Sequence, residues 1–191
     1  MGPASAASLC HGAVRGRARN LHTLRGAMRI DPVTAAAGIG GALAMSFATG
    51  AGRRAGLDVD LETLAGTQLG LPPGPRAWWA GLLSQCAVGS LLFAQGYRVA
   101  FEQLQLRPTP LRGAVLGLLH GAAAGAALAA APLVHPQMPD TIPPPGPFML
   151  HRGAGAAMLF VGVHALFGAI VATAVDARAA HLHASHARLR T

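Results

Sequence analysis

Two histidines lie inside long apolar segments of this chain, and their position makes them the strongest candidates for chemistry. His120 lies in the segment Leu111–Val134, and His164 lies in a later apolar run that ends before Asp176. Ionisable side chains are costly inside a bilayer and often mark a functional site. At a rise of about 1.5 Å per residue, His120 lies about 12 Å inward from Arg112. By the same count His164 lies about 18 Å inward from its own charged boundary, and an offset of about 6 Å permits contact between the two rings.

Several roles for this histidine pair remain open, and His120 and His164 are the candidate cofactor-binding residues. The rings could be axial ligands of a haem, as in bis-histidine membrane cytochromes. They could form a metal site, or a proton relay within a small transporter or channel subunit. Alternatively, each neutral imidazole could hydrogen bond a neighbouring backbone carbonyl or Gln85.

Four glycines recur at every fourth position around His120. They are Gly113, Gly117, Gly121 and Gly125. In water each glycine costs a helix about 0.5–1 kcal/mol relative to alanine. In a bilayer the same spacing creates a smooth surface that a second helix can approach closely. We therefore predict that these four are helix-packing residues, with a partner in the first or fourth span or in a second copy of the chain. Such close packing leaves little room for a haem.

The remaining histidines follow weaker patterns. His135 and His151 flank a proline-rich loop, and three more stand in the C-terminal tail: His181, His183 and His186. Histidine and nearby carboxylate or methionine groups can bind copper or zinc. Because these spacings match no established site, we predict interfacial and solvated side chains here, and no metal site.

Catalytic residues are not indicated by the sequence. It contains no Ser/His/Asp order, HExxH motif or phosphate-binding loop. Glu102 and Asp176 lie at predicted span ends, where pairing with a nearby arginine is the ordinary explanation. The arginines in question are Arg98, Arg107 and Arg178. Ser84 and His164 could form a nucleophile and base, but nothing in the sequence places them together. We predict that the protein is not an enzyme.

The segments that carry these residues have the composition of membrane helices. Of the 191 residues, 52% are hydrophobic and only 12% are charged, whereas soluble domains carry about 25% charged residues. This apolar excess needs lipid to cover it. The net charge of +8 comes from fifteen arginines that lie mainly at segment ends, where they anchor membrane helices. We therefore predict the lipid bilayer, and no nucleic acid, as the partner.

The hydrophobic pattern predicts an all-α integral membrane protein, a four-transmembrane-helix bundle over residues 33–176. About twenty residues cross a hydrocarbon core of about 30 Å. The predicted spans are about 33–52, 77–99, 111–134 and 153–175. The polar connection 55–75 could hold a short helix at the interface. Residues 1–32 are predicted to be a disordered basic extension, and 177–191 a basic, histidine-containing tail without fixed structure.

Arginine placement predicts that both termini are cytoplasmic. Eleven arginines flank the spans on the side of the termini, against four on the other side, and positive flanks face the cytoplasm. The N-terminus is free of acids before Asp31 and carries both arginine and serine, as organellar transit peptides do. A natural start at Met28 is a further alternative. A bacterial inner membrane is the predicted location, with an organellar membrane as the alternative.

The order of motifs resembles a known group of proteins. Gly56, Leu57 and Asp58 follow the first span and lead into LETLAGTQLG. The third span begins LRGAVLGLLHG and ends in an HP-x-MP loop, and the fourth holds His164 in GVHALFGAIV. This is similar to small four-span bacterial inner-membrane proteins that are YagU-like in the broad sense, over about residues 33–175. The resemblance implies the fold and a membrane location, with no catalytic residues to carry over. We predict a packing, assembly or stress-related role, acting with other membrane proteins or as a homo-oligomer.

Overall fold

The computed structural model of the protein describes residues 30–188, and the residues from Pro32 onward belong to one compact unit. Three predictions concern residues outside this range: the disordered extension, the transit peptide and the start at Met28. Only residues 30–32 of the predicted extension lie within it. The side chains of His183 and His186 also lie outside the description. Within the described range the regular structure is entirely helical.

Seven α-helices follow one another along the described chain. The first four are α1 (Pro32–Arg54), α2 (Leu61–Gln68), α3 (Pro75–Val88) and α4 (Ala94–Gln103). The last three are α5 (Pro110–Ala127), α6 (Ala131–Val134) and α7 (Ala154–Arg188). A π-helical segment, Gly89–Phe93, joins α3 to α4, and a short 3-10 turn, Leu128–Ala130, joins α5 to α6. A second 3-10 segment, Pro147–Arg152, precedes α7.

Four stretches of helix are long and apolar enough to cross a membrane. They are Pro32–Arg54, Pro75–Gln103, Pro110–Val134 and Ala154–His181, called here the first to fourth spans. Each turns a large apolar side chain outward: Phe47 is 77% exposed, Leu83 67%, Leu119 63% and Met158 76%. Such surfaces are suited to lipid and would be an aggregation hazard in water. The predicted class, an all-helical four-span membrane protein, is confirmed at this level.

Proline marks the start of three spans. Pro32, Pro75 and Pro110 each stand at the first helical position, where a missing N–H leaves no hydrogen bond unmade. At the third span, the side chain of Thr109 also accepts a hydrogen bond from the backbone N–H of Arg112, at 3.3 Å. Such a cap satisfies one of the free donors at a helix start.

Two spans extend further at their C-terminal ends than the sequence pattern predicts. The second span continues to Gln103, and α7 continues through Arg188. The segment from Ala177 to Arg188, expected to be unstructured, is therefore helical. Its many alanines explain the difference, because alanine has the highest intrinsic helix propensity.

The fourth span is the central element of the bundle. In its most apolar stretch 39% of the residues are buried, against 22% in that of the third span. It packs closely on the first and third spans, and the second span packs on the first span and on α2. α3 and α5 are not among the closely packed pairs. A gap therefore remains between α3, the first half of the second span, and the third span, whereas Phe93 and Tyr97 of the second span contact His120 of the third.

The polar connection after the first span forms α2, the short helix predicted there, but it is anchored more firmly than an interfacial helix needs to be. Glu62 is fully buried. Arg53 donates a hydrogen bond to the carboxylate of Glu62 at 3.1 Å, and Thr49 donates another at 3.3 Å. Both donors come from the end of α1. The buried carboxylate therefore ties α2 to the first span.

Candidate functional site

The four glycines of the third span all lie on its buried face and meet the fourth span or the segment before it. A methyl group added at Gly113 would collide with the backbone carbonyl of Gly168, and one at Gly117 would collide with that of His164. A methyl at Gly121 would lie 2.9 Å from the Cβ of His164. Along this line the two spans approach backbone to backbone, and we call it the glycine seam.

The outermost glycine meets a loop instead of a helix. A methyl group at Gly125 would collide with the ring of Phe148, in the 3-10 segment before the fourth span. Phe148 and Met149 have φ values of 53° and 63°, which few residues other than glycine adopt. The absence of a side chain at Gly125 therefore provides the space in which this strained turn places its ring.

The contact of the glycine seam is reciprocal and selective. A methyl group at Gly168 would in turn collide with the carbonyl of Gly113, whereas a methyl at Gly162, on the same helix, would meet nothing within 4 Å. Glycine is therefore sterically required at Gly168, whereas a larger residue can replace Gly162.

The structure brings the two intramembrane histidines together. The ring centroids of His120 and His164 lie 5.0 Å apart, with the rings perpendicular. The Nδ1 of His164 lies 2.7 Å from the carbonyl oxygen of Phe160, and the Nδ1 of His120 lies 3.2 Å from the hydroxyl of Tyr97. Because a carbonyl only accepts, Nδ1 of His164 must donate, which leaves the lone pair of the neutral ring on Nε2. Neither Nε2 hydrogen bonds to any residue from 30 to 188.

Aromatic side chains surround the histidine pair. Phe93 lies over His120 with ring centroids 3.8 Å apart, and Tyr97 and Phe167 meet it edge-on at 6.2 Å and 6.4 Å. Phe93 is the last residue of the π-helical segment in the second span. Such segments are rare and occur frequently at functional sites.

A cavity of about 400 Å³ lies beside the pair, in the gap between the second and third spans. Its lining is mainly apolar, with Val88 of the second span facing Ala124 and Leu128 of the third. The polar side chains that line it are Ser84, Gln85, Gln68, His120, His135 and His164. α2 also contributes to the lining, through Leu61, Leu64, Ala65 and Gln68. We call this space the interspan cavity.

The haem hypothesis does not fit this geometry. Axial ligands need room for a macrocycle between their rings, but the helices that carry His120 and His164 are in backbone contact at Gly117. Among residues 30–188, no group of three or more His, Cys, Asp or Glu side chains is arranged to hold a metal ion. Ser84 lines the same cavity as His164, but no hydrogen bond joins them in the described structure.

The histidines of the proline-rich loop and of the C-terminal segment lie away from the histidine pair and have surroundings of their own. The Nε2 of His135 lies 3.2 Å from the hydroxyl of Thr67, and its Nδ1 accepts from the backbone N–H of Gln137 at 3.2 Å. Both nitrogens of this buried ring are therefore occupied. His151 is exposed and lies 3.3 Å from the carbonyl oxygen of Pro144. His181 is exposed on α7.

Two predicted ion pairs at the span ends are confirmed. Arg98 pairs with Glu102 at 2.7 Å, and Arg107 pairs with Asp176 at 3.3 Å. Sequence reasoning missed the pair between Arg53 and Glu62, because an acid in a polar connection gives no sign that it is buried.

Sequence reasoning also missed two further close contacts made by glycine. A methyl group at Gly81 would collide with the backbone carbonyl of Glu62, where α3 meets α2. A methyl at Gly38 would lie 2.5 Å from the carbonyl of Gly89, where the first and second spans meet. The small residues around Gly38 indicate a packing surface on the first span, but neither Gly38 nor Gly81 carries a signal in the sequence for the partner that it meets.

The fold and the interspan cavity define the class: an all-helical protein with four helices long and apolar enough to span a membrane and a cavity that opens at the side of the bundle. No family model, curated protein or solved structure matches this chain. The similarity to YagU-like proteins remains a prediction from the motifs alone.

Proposed function

We propose that this protein is a non-enzymatic inner-membrane helix bundle of the YagU-like kind, with a packing or assembly role. The observation that supports this is the glycine seam. Three successive glycines replace side chains where the third and fourth spans touch, and van der Waals packing of this kind is a main source of helix association in lipid. Because the seam is occupied within one chain, any homo-oligomer or other membrane partner would use a different surface.

Isoleucine substitutions test this proposal. Gly117→Ile places a branched side chain into the backbone of the fourth span, and Gly121→Ile places one into the buried side chain of His164. Both variants should therefore fail to give a folded, monodisperse protein in mild detergent. Gly162→Ile adds the same side chain at an open position of the fourth span and is the matched control. Size-exclusion chromatography with light scattering reads out the result. Wild-type behaviour of both seam variants would refute the packing role.

We further propose that both termini face the cytoplasm of a bacterial cell. The support is the arginine count, eleven against four across the two sides, together with an even number of spans. Fusing alkaline phosphatase to the C-terminus should give no activity, while a fusion after Pro143, in the loop before the fourth span, should be active. The reverse pattern would overturn this orientation.

A small transporter or channel subunit is a second candidate function. It is favoured by one observation: the rings of His120 and His164 lie 5.0 Å apart and both line the interspan cavity. His120→Ala and His164→Ala should then abolish flux of the transported species in liposomes. His151→Ala, at an exposed outer position, is the control. Flux that persists in both intramembrane variants would exclude these residues as the path.

A further inference from the structure

We infer that the interspan cavity is a binding site for one membrane-dissolved amphiphile with an uncharged hydroxyl head group, held by His164 next to His120 and Phe93. The inference uses the membrane location of the proposed function but does not depend on its packing role. The shared chemistry is a hydroxyl donor on an apolar body, as in a long-chain alcohol or a quinol.

The size and lining of the cavity fit such a ligand. Its volume of about 400 Å³ lies within the range of about 300–1,000 Å³ typical of small-molecule sites. Most of its wall is aliphatic or aromatic, and the polar groups at the histidine end converge on one place. An apolar pocket with a few convergent polar groups is the usual form of a ligand site.

The head-group site is defined by an unused hydrogen-bond acceptor. His164 is only 6% exposed, and its Nδ1 is fixed on the carbonyl of Phe160 at 2.7 Å. Its Nε2 lone pair has no partner among residues 30–188, and His164 lines the cavity. A hydroxyl donor supplied by a ligand would satisfy it. Such a head group would lie among Phe93, His120 and Phe167, which line the same part of the cavity wall.

Access to this site is through the side of the bundle. Val88 lines the cavity and is nevertheless 41% exposed. It stands at the middle of the second span, where the surface outside the bundle faces lipid. A ligand dissolved in the bilayer can therefore enter without crossing the aqueous phase. The π-helical segment that begins at Gly89 lies next to this opening.

Photolabelling of the full-length protein in phosphatidylcholine nanodiscs tests the inference. The probe is a dodecanol with a diazirine near its methyl end, and the readout is mass-spectrometric mapping of labelled residues. We expect labelling at cavity residues such as Leu64 and Leu128. Unlabelled dodecanol should compete at a concentration roughly tenfold lower than dodecyl methyl ether, which lacks the donor, because the alcohol can make one hydrogen bond to the Nε2 of His164 that the ether cannot. Equal competition by the ether would overturn the inference.

Two variants locate the site. His164→Leu should keep the labelling but lose the preference for the alcohol over its ether. Val88→Trp should block the opening and reduce labelling of the cavity at least fivefold, while Leu119→Trp, on the lipid-facing side of the third span, should leave labelling unchanged. Undiminished labelling in a folded Val88→Trp protein would place the probe elsewhere and refute the site.

Further competitors distinguish the source of the ligand. A decyl-substituted benzoquinol that competes better than dodecanol would identify an aromatic head group, and the opposite order would identify an aliphatic alcohol. Because the readout is the selectivity of binding, it is independent of the glycine variants. If Gly117→Ile and Gly121→Ile fold like the wild type while the wild-type protein still prefers the alcohol over its ether, the packing role is contradicted and the binding site is not.

Discussion

Replacing Gly117 by alanine should destabilise the bundle, although alanine is the better helix former. The added methyl would collide with the carbonyl of His164 and would lie 2.8 Å from the Cα of Ala165. Carbon atoms in contact prefer separations of about 3.5–4.0 Å, so the third and fourth spans would have to separate by roughly 1 Å. Overpacking of this kind costs about 1–3 kcal/mol. The gain from helix propensity is about 0.5–1 kcal/mol.

Gly162→Ala isolates the steric cost in this experiment. It brings the same gain in helix propensity, but its methyl meets nothing within 4 Å. The difference in the free energy of unfolding between the two variants should therefore equal the full overpacking cost, about 1–3 kcal/mol in favour of Gly162→Ala. Titration with SDS in mixed micelles, followed by circular dichroism, measures this difference. If the two variants agree within about 0.5 kcal/mol, the glycine seam does not limit stability.

Four further substitutions should separate buried contacts from exposed ones in the same titration. Gly81→Ala should lower the free energy of unfolding by about 1–3 kcal/mol, because its methyl would collide with the backbone of α2; no loss would mean that α2 can shift freely. Glu62→Ala should cost about 1–3 kcal/mol, since it leaves Arg53 without its buried partner, and Glu62→Gln should cost less because it keeps the packing and the bond from Thr49. Asp176→Asn should cost less than about 0.5 kcal/mol, because its pair with Arg107 is exposed. An effect of Asp176→Asn as large as that of Glu62→Ala would contradict the ranking by burial.

The spans could be predicted from the sequence because they depend on local properties. Long apolar runs with charged ends and a proline at the first helical position specify where a membrane helix begins, as Pro110 and Thr109 do for the third span. The spacing of Gly113 to Gly125 also identifies which face of that helix is smooth. Each of these features lies within one element, so no knowledge of the neighbouring helices is needed.

The pairing of elements could not be predicted in the same way. The partner of Gly113 is Gly168, and nothing in either segment states that they meet. Glu62 looks like a solvated acid of a polar connection, and only the fold brings Arg53 and Thr49 to it. The π-helical turn at Gly89 has no sequence signature in this chain. The interspan cavity depends on all of these pairings, so it is visible only in three dimensions.

The glycine seam and the interspan cavity follow from one asymmetry of the bundle. Glycines let the third span approach the fourth to backbone contact, while Gly38 and Gly89 do the same for the first and second spans. The ring of Phe167, in the fourth span, packs against Gly41 of the first span. This contact joins the pair of third and fourth spans to the pair of first and second spans. The second and third spans are each held by a different partner and touch only where Phe93 and Tyr97 meet His120, so the space between α3 and the third span stays open. His120 lies beside Gly121, so the glycine seam fixes the backbone positions of His120 and His164. The rings of both histidines line the interspan cavity.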